Sequence, residues 1–89
     1  MNWEIRIASR ASKAIKKAPQ KDQRLLISAL EKMSSAPLDG DCKKLKGYTP
    51  PLFRHRVGSW RIFFGLDFEN QIISIFDVLR RTTTTYKKN

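Results

Sequence analysis

The chain has one cysteine, Cys42, and one histidine, His55, and it is poor in acidic residues. A single thiol excludes an intramolecular disulfide, and nothing in the composition demands an oxidising compartment. A single imidazole excludes a ribonuclease mechanism built on two histidines. One Cys and one His make no zinc site, and a two-metal nuclease needs converging carboxylates that the basic middle of the chain lacks. A P-loop and a dinucleotide fingerprint are also missing, so neither a metal nor a cofactor is expected. No stretch approaches the ~18 apolar residues of a membrane span, and Met1-Asn2-Trp3-Glu4 lacks the basic start and apolar run of a signal peptide. The expectation is a cytoplasmic protein. With 89 residues, no internal repeat and no long linker, residues 1–89 are expected to form a single domain. A domain of this size buries only about 60–65% of its unfolded surface, so its stability margin is thin.

Basic residues are abundant. Lys and Arg number 18 against 8 Asp and Glu, a formal charge of +10. That excess points to a polyanionic partner: RNA, DNA, an anionic membrane or an acidic protein. The plainer alternative is a basic protein whose charges are merely solvated. Placement favours a partner. From Cys42 to Leu66 there is no carboxylate, while Lys43, Lys44, Lys46, Arg54, Arg56 and Arg61 fall inside.

Hydropathy patterning reads as α+β. Trp3, Ile5 and Ile7 alternate with Glu4 and Arg6, a strand period. Ser9 offers an N-cap. Ala11, Ala14, Ile15 and Ala18 follow at helical spacing with Lys13, Lys16 and Lys17 outward, and Pro19 ends the helix. A second helix is expected over Gln20–Met33, its apolar stripe made of Leu26, Ala29, Leu30 and Met33, joined by Leu25. Pro37 and Asp39-Gly40-Asp41 mark a loop. Leu52–Val57, Trp60–Asp67 and Ile72–Leu79 are rich in β-branched and aromatic residues. Gly58-Ser59 suits a type II′ hairpin turn, and Phe68–Gln71 makes another turn. The expected order is β-α-α-β-β-β, a helical hairpin packed on a twisted, mainly antiparallel sheet.

The Gly58-Ser59 turn predicts a register. Val57 pairs with Trp60, Arg56 with Arg61, His55 with Ile62, and Arg54 with Phe63. Alternation puts Phe53, His55, Val57, Trp60, Ile62 and Phe64 on a core face and Arg54, Arg56, Arg61 and Phe63 on the other. Like charges directly opposite each other destabilise a hairpin, so folding alone does not favour Arg56 facing Arg61. An anion between them removes the conflict, and the guanidinium fork suits phosphate. The alternative is that both side chains splay into water. Phe63 is either a stacking platform for an unpaired base or packed beneath a loop or the C-terminal segment. His55, on the core face, reads as a partly buried histidine rather than a general base. Beyond the last strand, Arg80, Arg81, Tyr86, Lys87 and Lys88 extend the basic surface.

These pieces resemble the RelE/ParE toxin superfamily over nearly the whole chain. The resemblance rests on Lys44-Leu45-Lys46-Gly47, on Phe53-Arg54-His55-Arg56-Val57-Gly58-Ser59-Trp60-Arg61-Ile62, and on Val78-Leu79-Arg80-Arg81 with Tyr86. The family hairpin reads aromatic-Arg-x-Arg-small apolar-Gly-x-aromatic-Arg, and each position is matched. The four threonines between Arg81 and Tyr86 depart from the family pattern. The resemblance implies a toxin held inactive by a small antitoxin. In the RelE branch it implies entry into the ribosomal A site and metal-free cleavage of the bound messenger RNA codon, the RNA's own 2′-hydroxyl attacking phosphate.

Residue by residue, the resemblance implies that Arg54, Arg56, Arg61, Arg81 and Tyr86 are catalytic. Arg61 and Arg81 would stabilise the pentacovalent phosphate. Tyr86 would accept the 2′-hydroxyl proton, with neighbouring arginines lowering a phenol pKa of about 10. Arg54 or Arg56 would steady the phosphate or assist the leaving oxygen. Lys43, Lys44, Lys46, Arg80, Phe63, Lys87 and Lys88 are expected to bind RNA. Expected partners are the ribosome, messenger RNA and an antitoxin with an acidic segment. Three alternatives stand beside this reading. One is a ParE-like DNA gyrase inhibitor without nuclease activity. Another is a non-catalytic RNA- or ribosome-binding protein. The third is an inactive relative whose only partner is its antitoxin.

Overall fold

The apolar alternation at the start of the chain becomes β1, Glu4–Ile7, in a computed structural model that describes residues 2–80. The chain passes directly into α1, Ser9–Lys17. Ser9 is the first helical residue rather than the expected N-cap. Ala8 precedes it in an extended conformation with no side-chain cap, because its N–H is still held in the sheet by the Ile75 carbonyl at 2.9 Å. After Pro19 comes α2, Gln20–Ser35, two residues longer than its apolar stripe. Gln23 joins the two helices: its side-chain amide donates to the carbonyls of Lys16 and Ala18 at 3.0 and 2.9 Å. Lys16 lies in the last turn of α1 and Ala18 is its C-cap, so neither carbonyl has a helical donor.

Four further strands follow: β2, Cys42–Leu45; β3, Leu52–Val57; β4, Trp60–Asp67; and β5, Ile72–Arg80. The spatial order is β1-β5-β4-β3-β2. β1 runs parallel to β5, and every other pairing is antiparallel. The expected α+β architecture is therefore present, with β2 as an added strand. Cys-Lys-Lys-Leu has little strand propensity of its own. It extends because the edge of β3 offers it a ladder, which is tertiary context rather than local preference.

The register expected from the hairpin turn is the one observed, from Val57↔Trp60 through Arg56↔Arg61 to Phe53↔Phe64. Gly58 has φ +58°, and Ser59 is not left-handed, as a type II′ turn requires. The helices cover one face. Beneath them Ile62, Phe64, Ile73 and Ile75 are fully buried with Leu26 of α2 and Ala11 of α1, and the rings of Phe53 and Phe64 stack at 5.5 Å. Leu25, expected in the apolar stripe of α2, is instead 42% exposed, its Cδ2 leaning over Gly58. Along β4 and β5 the register shifts between Phe63 and Phe64. Phe63 pairs with Asp77 and Phe64 with Ile75, so Phe76 is an extra residue that bulges outward.

The two sides of β4 and β5 should respond differently to truncation. Ile62→Val is expected to cost about 1 kcal/mol, lowering the melting temperature by roughly 4–8 °C. Leu79→Ala, on the uncovered face, should stay within about 0.5 kcal/mol. Thermal melts of both variants check the register, because a slip of one residue would exchange the two results.

Candidate functional site

The uncovered face of the sheet gathers the basic residues of the hairpin. Arg56 and Arg61 are directly opposed, Arg54 lies against Phe63 across the same strand pair, and Lys43 of β2 extends this second row beyond Arg54. All three arginines and Phe63 are half-buried. The Nε atoms of Arg54, Arg56 and Arg61 are buried and have no hydrogen-bond partner. Among the described residues none of the three forms an ion pair; the pairs are Arg6–Glu4, Arg10–Asp77 and Arg80–Asp22.

This is an unfavourable arrangement for folding and a favourable one for an anion. Each buried donor left without a partner costs about 1–3 kcal/mol of desolvation, and opposed like charges add to it. An oxyanion of several acceptor oxygens answers both. Asp77, the cross-strand partner of Phe63, does not supply it: its carboxylate is taken by Arg10 of α1 at 3.6 Å and by its neighbour's backbone N–H, that of Val78, at 2.9 Å.

The other expected site residues divide. Lys44 pairs with Phe53 and so shares the helix-covered side at the sheet edge, and Lys46 lies in the turn after β2. Arg80 is not brought together with the hairpin arginines. It pairs with Trp60 across β4 and β5, lies over the indole ring at 5.4 Å, and reaches Asp22 of α2 at 3.8 Å. Strand alternation places it on the opposite face from Arg61. Arg81, Tyr86, Lys87 and Lys88 lie outside the described residues.

One close contact escaped the reading of the sequence because it depends on β2. Cys42 pairs with His55 across β2 and β3, and its Sγ lies 2.9 Å from His55 Nδ1. Burial holds the imidazole below its ordinary pKa, opposed by nearby Asp41. Burial, then Asp41 and Asp39, push the thiol up, opposed by Arg54. Both shifts favour a neutral thiol donating to a neutral imidazole, not an activated thiolate. His55 also lines a hollow of about 610 Å³ against α2, with Leu25, Ala29, Met33 and Val57. That hollow is on the helix side, and Asp39, Asp41 and Arg56 also line it.

Two measurements follow. Below an ordinary imidazole pKa of about 6.5, the unfolded chain takes up a proton that folded His55 resists. Stability should fall as pH drops from there towards the lowered folded value. His55→Gln should flatten this slope in urea unfolding. Asp67, whose carboxyl is lowered chiefly by the Asn70 side chain, acts only in a more acidic window. Separately, phosphate should raise the melting temperature of the wild type. Arg61→Gln should remove most of that response while leaving stability without phosphate unchanged or up by a few tenths of a kcal/mol.

Comparison with known proteins agrees with this architecture. No protein-family model and no curated protein matches the sequence. Solved structures do. RelE in the archaeal RelE–RelB complex of Pyrococcus horikoshii OT3 superposes with a TM-score of 0.82 at 22% identity, over 93% of this chain and 99% of that one. The toxin–antitoxin complex RelBE2 of Mycobacterium tuberculosis gives 0.72 at 25% identity, over 91% and 100%. The RelB–RelE complex of Methanococcus jannaschii gives 0.70 at 24% identity, over 94% and 99%. The helical hairpin packed on a five-stranded mixed sheet is thus the RelE fold.

Proposed function

We propose that this protein is the toxin of a toxin–antitoxin pair and that it cuts messenger RNA bound in the ribosome. The observation that carries this reading is the opposed Arg56–Arg61 pair with Arg54 beside it, three buried and unpartnered Nε donors on one open sheet face. Similarity to RelE chains solved with RelB supports an antitoxin partner. The +10 charge supports an acidic segment on that antitoxin and a ribosomal RNA environment for the toxin.

The chemistry needs no metal. The 2′-oxygen of one nucleotide attacks the adjacent phosphorus as its proton passes to Tyr86. The bond from phosphorus to the 5′-oxygen breaks, and that oxygen takes up a proton from water. The products are a 2′,3′-cyclic phosphate and a free 5′-hydroxyl. Arg61, with Arg81, stabilises the added negative charge of the pentacovalent phosphate. Arg54 and Arg56 steady its oxygens. An arginine holds its proton tightly, so these side chains act through charge and hydrogen bonds.

The test is the purified chain mixed with programmed ribosomes. Cleavage within the A-site codon is expected, with cyclic phosphate at the new 3′ end. Arg61→Ala should lower the rate roughly 10²–10³-fold, and Tyr86→Phe roughly 10²–10⁴-fold. Message left intact while gyrase–DNA complexes accumulate would instead indicate a gyrase inhibitor. Tyr86→Phe cutting as fast as wild type would remove the tyrosine from the base role.

A further inference from the structure

The open face carries a second feature that the phosphate chemistry leaves unused. At the end of the sheet away from the Gly58-Ser59 turn lies a hollow of about 390 Å³, lined by Tyr48, Pro50, Pro51, Gly65, Ser74 and Phe76. Its size is within the roughly 300–1,000 Å³ of small-ligand sites. Two half-exposed aromatics flank it: Phe76 is 48% and Tyr48 54% exposed. The hollow exists because of the bulge. The extra residue Phe76 turns its ring out over Gly65, where a Cβ would stand 3.0 and 3.2 Å from ring carbons and 3.8 Å from the Pro51 carbonyl oxygen. Glycine therefore leaves room for the Phe76 ring to pack against the strand beside the loop that precedes β3.

Position and charge identify the occupant. Arg61, Phe63 and Gly65 are successive outward positions on β4. The floor is thus about 13 Å from Arg61 along the strand, with Phe63 between them. A single strand held by phosphate at Arg56 and Arg61 would pass over it. The hollow itself has no lysine or arginine among its lining residues, and Asp67 stands in its wall. A carboxylate repels a second phosphate, whereas aromatic rings accept the flat face of any base.

We propose that this hollow is a base subsite, in which Tyr48 and Phe76 stack a nucleobase of the single-stranded RNA whose phosphate is bound by Arg56 and Arg61. This rests on the phosphate-binding reading above. A protein segment is the other class of occupant. The hollow shares the outward face of β4 with Arg61, through Phe63 and Gly65, which favours the nucleic acid.

The experiment compares an RNA octamer with an abasic octamer of the same backbone, by fluorescence anisotropy at one salt concentration. Phe76→Leu keeps an apolar side chain but removes the stacking ring. It should weaken RNA binding roughly tenfold and leave abasic binding unchanged. Tyr48→Ala should act in the same direction. Arg61→Gln should weaken both ligands. In the wild-type complex, 2-aminopurine should be quenched at one position of the octamer, and Phe76→Leu should restore its emission. Equal RNA affinity for wild type and Phe76→Leu overturns the base subsite and leaves the hollow to a protein partner. A loss of RNA and abasic binding alike in Phe76→Leu also overturns it. Abasic binding that Arg61→Gln does not alter strikes instead at the phosphate site, so the two failures are distinct. Melts of each variant establish that it is folded.

Discussion

A two-residue turn leaves little freedom to the strands it joins, and the Gly58-Ser59 turn governs both faces of this sheet. Gly58 occupies the left-handed region at φ +58°, and Leu25 of α2 closes over it, with Cδ2 3.0 Å from where a Cβ would stand. The backbone conformation favours glycine there. The resulting register puts Ile62 and Phe64 under the helices and opposes Arg56 to Arg61 on the uncovered side. A slip of one residue would bury the arginines and expose the core. The buried core and the opposed arginines are therefore two results of one pairing.

Three of the acidic residues are engaged by other cations. Asp77 is held by Arg10 and Asp22 by Arg80, and Glu4 is paired with Arg6. None neutralises the hairpin arginines. Among the described residues Arg54, Arg56 and Arg61 form no ion pair, so a positive field remains around them. An antiparallel sheet can leave one side to solvent provided the other buries enough apolar surface. Here the helical hairpin supplies that burial, with the Gln23 amide tying its two helices together. The half-buried Cys42–His55 contact belongs to this covered side. Its neutral, mutually hydrogen-bonded state suits an element that anchors β2 rather than one that reacts.

Much of this was legible in residue order. Strand alternation, helix periodicity and the Gly-Ser turn predicted the elements and the register of β3 with β4, since these depend on near neighbours in the chain. The reading fell short where distant segments meet. Ser9 lost its capping role because β5 holds Ala8 in the ladder. The strand Cys42–Leu45 formed because β3 offered an edge. Arg80, contiguous in sequence with the basic tail, was turned to Trp60 and Asp22 by its place on β5.

The amino-acid sequence by itself determined that a basic hairpin would present arginines on one side and apolar residues on the other, because a tight turn and a period of two are local properties. It determined as well that no disulfide could form within the chain, since there is a single thiol. The tertiary structure alone decided which acids would pair with Arg10 and Arg80, and that a bulge would set the Phe76 ring over Gly65. Those outcomes depend on pairing between segments far apart in the chain, and burial and charge neutralisation are settled only when those segments meet.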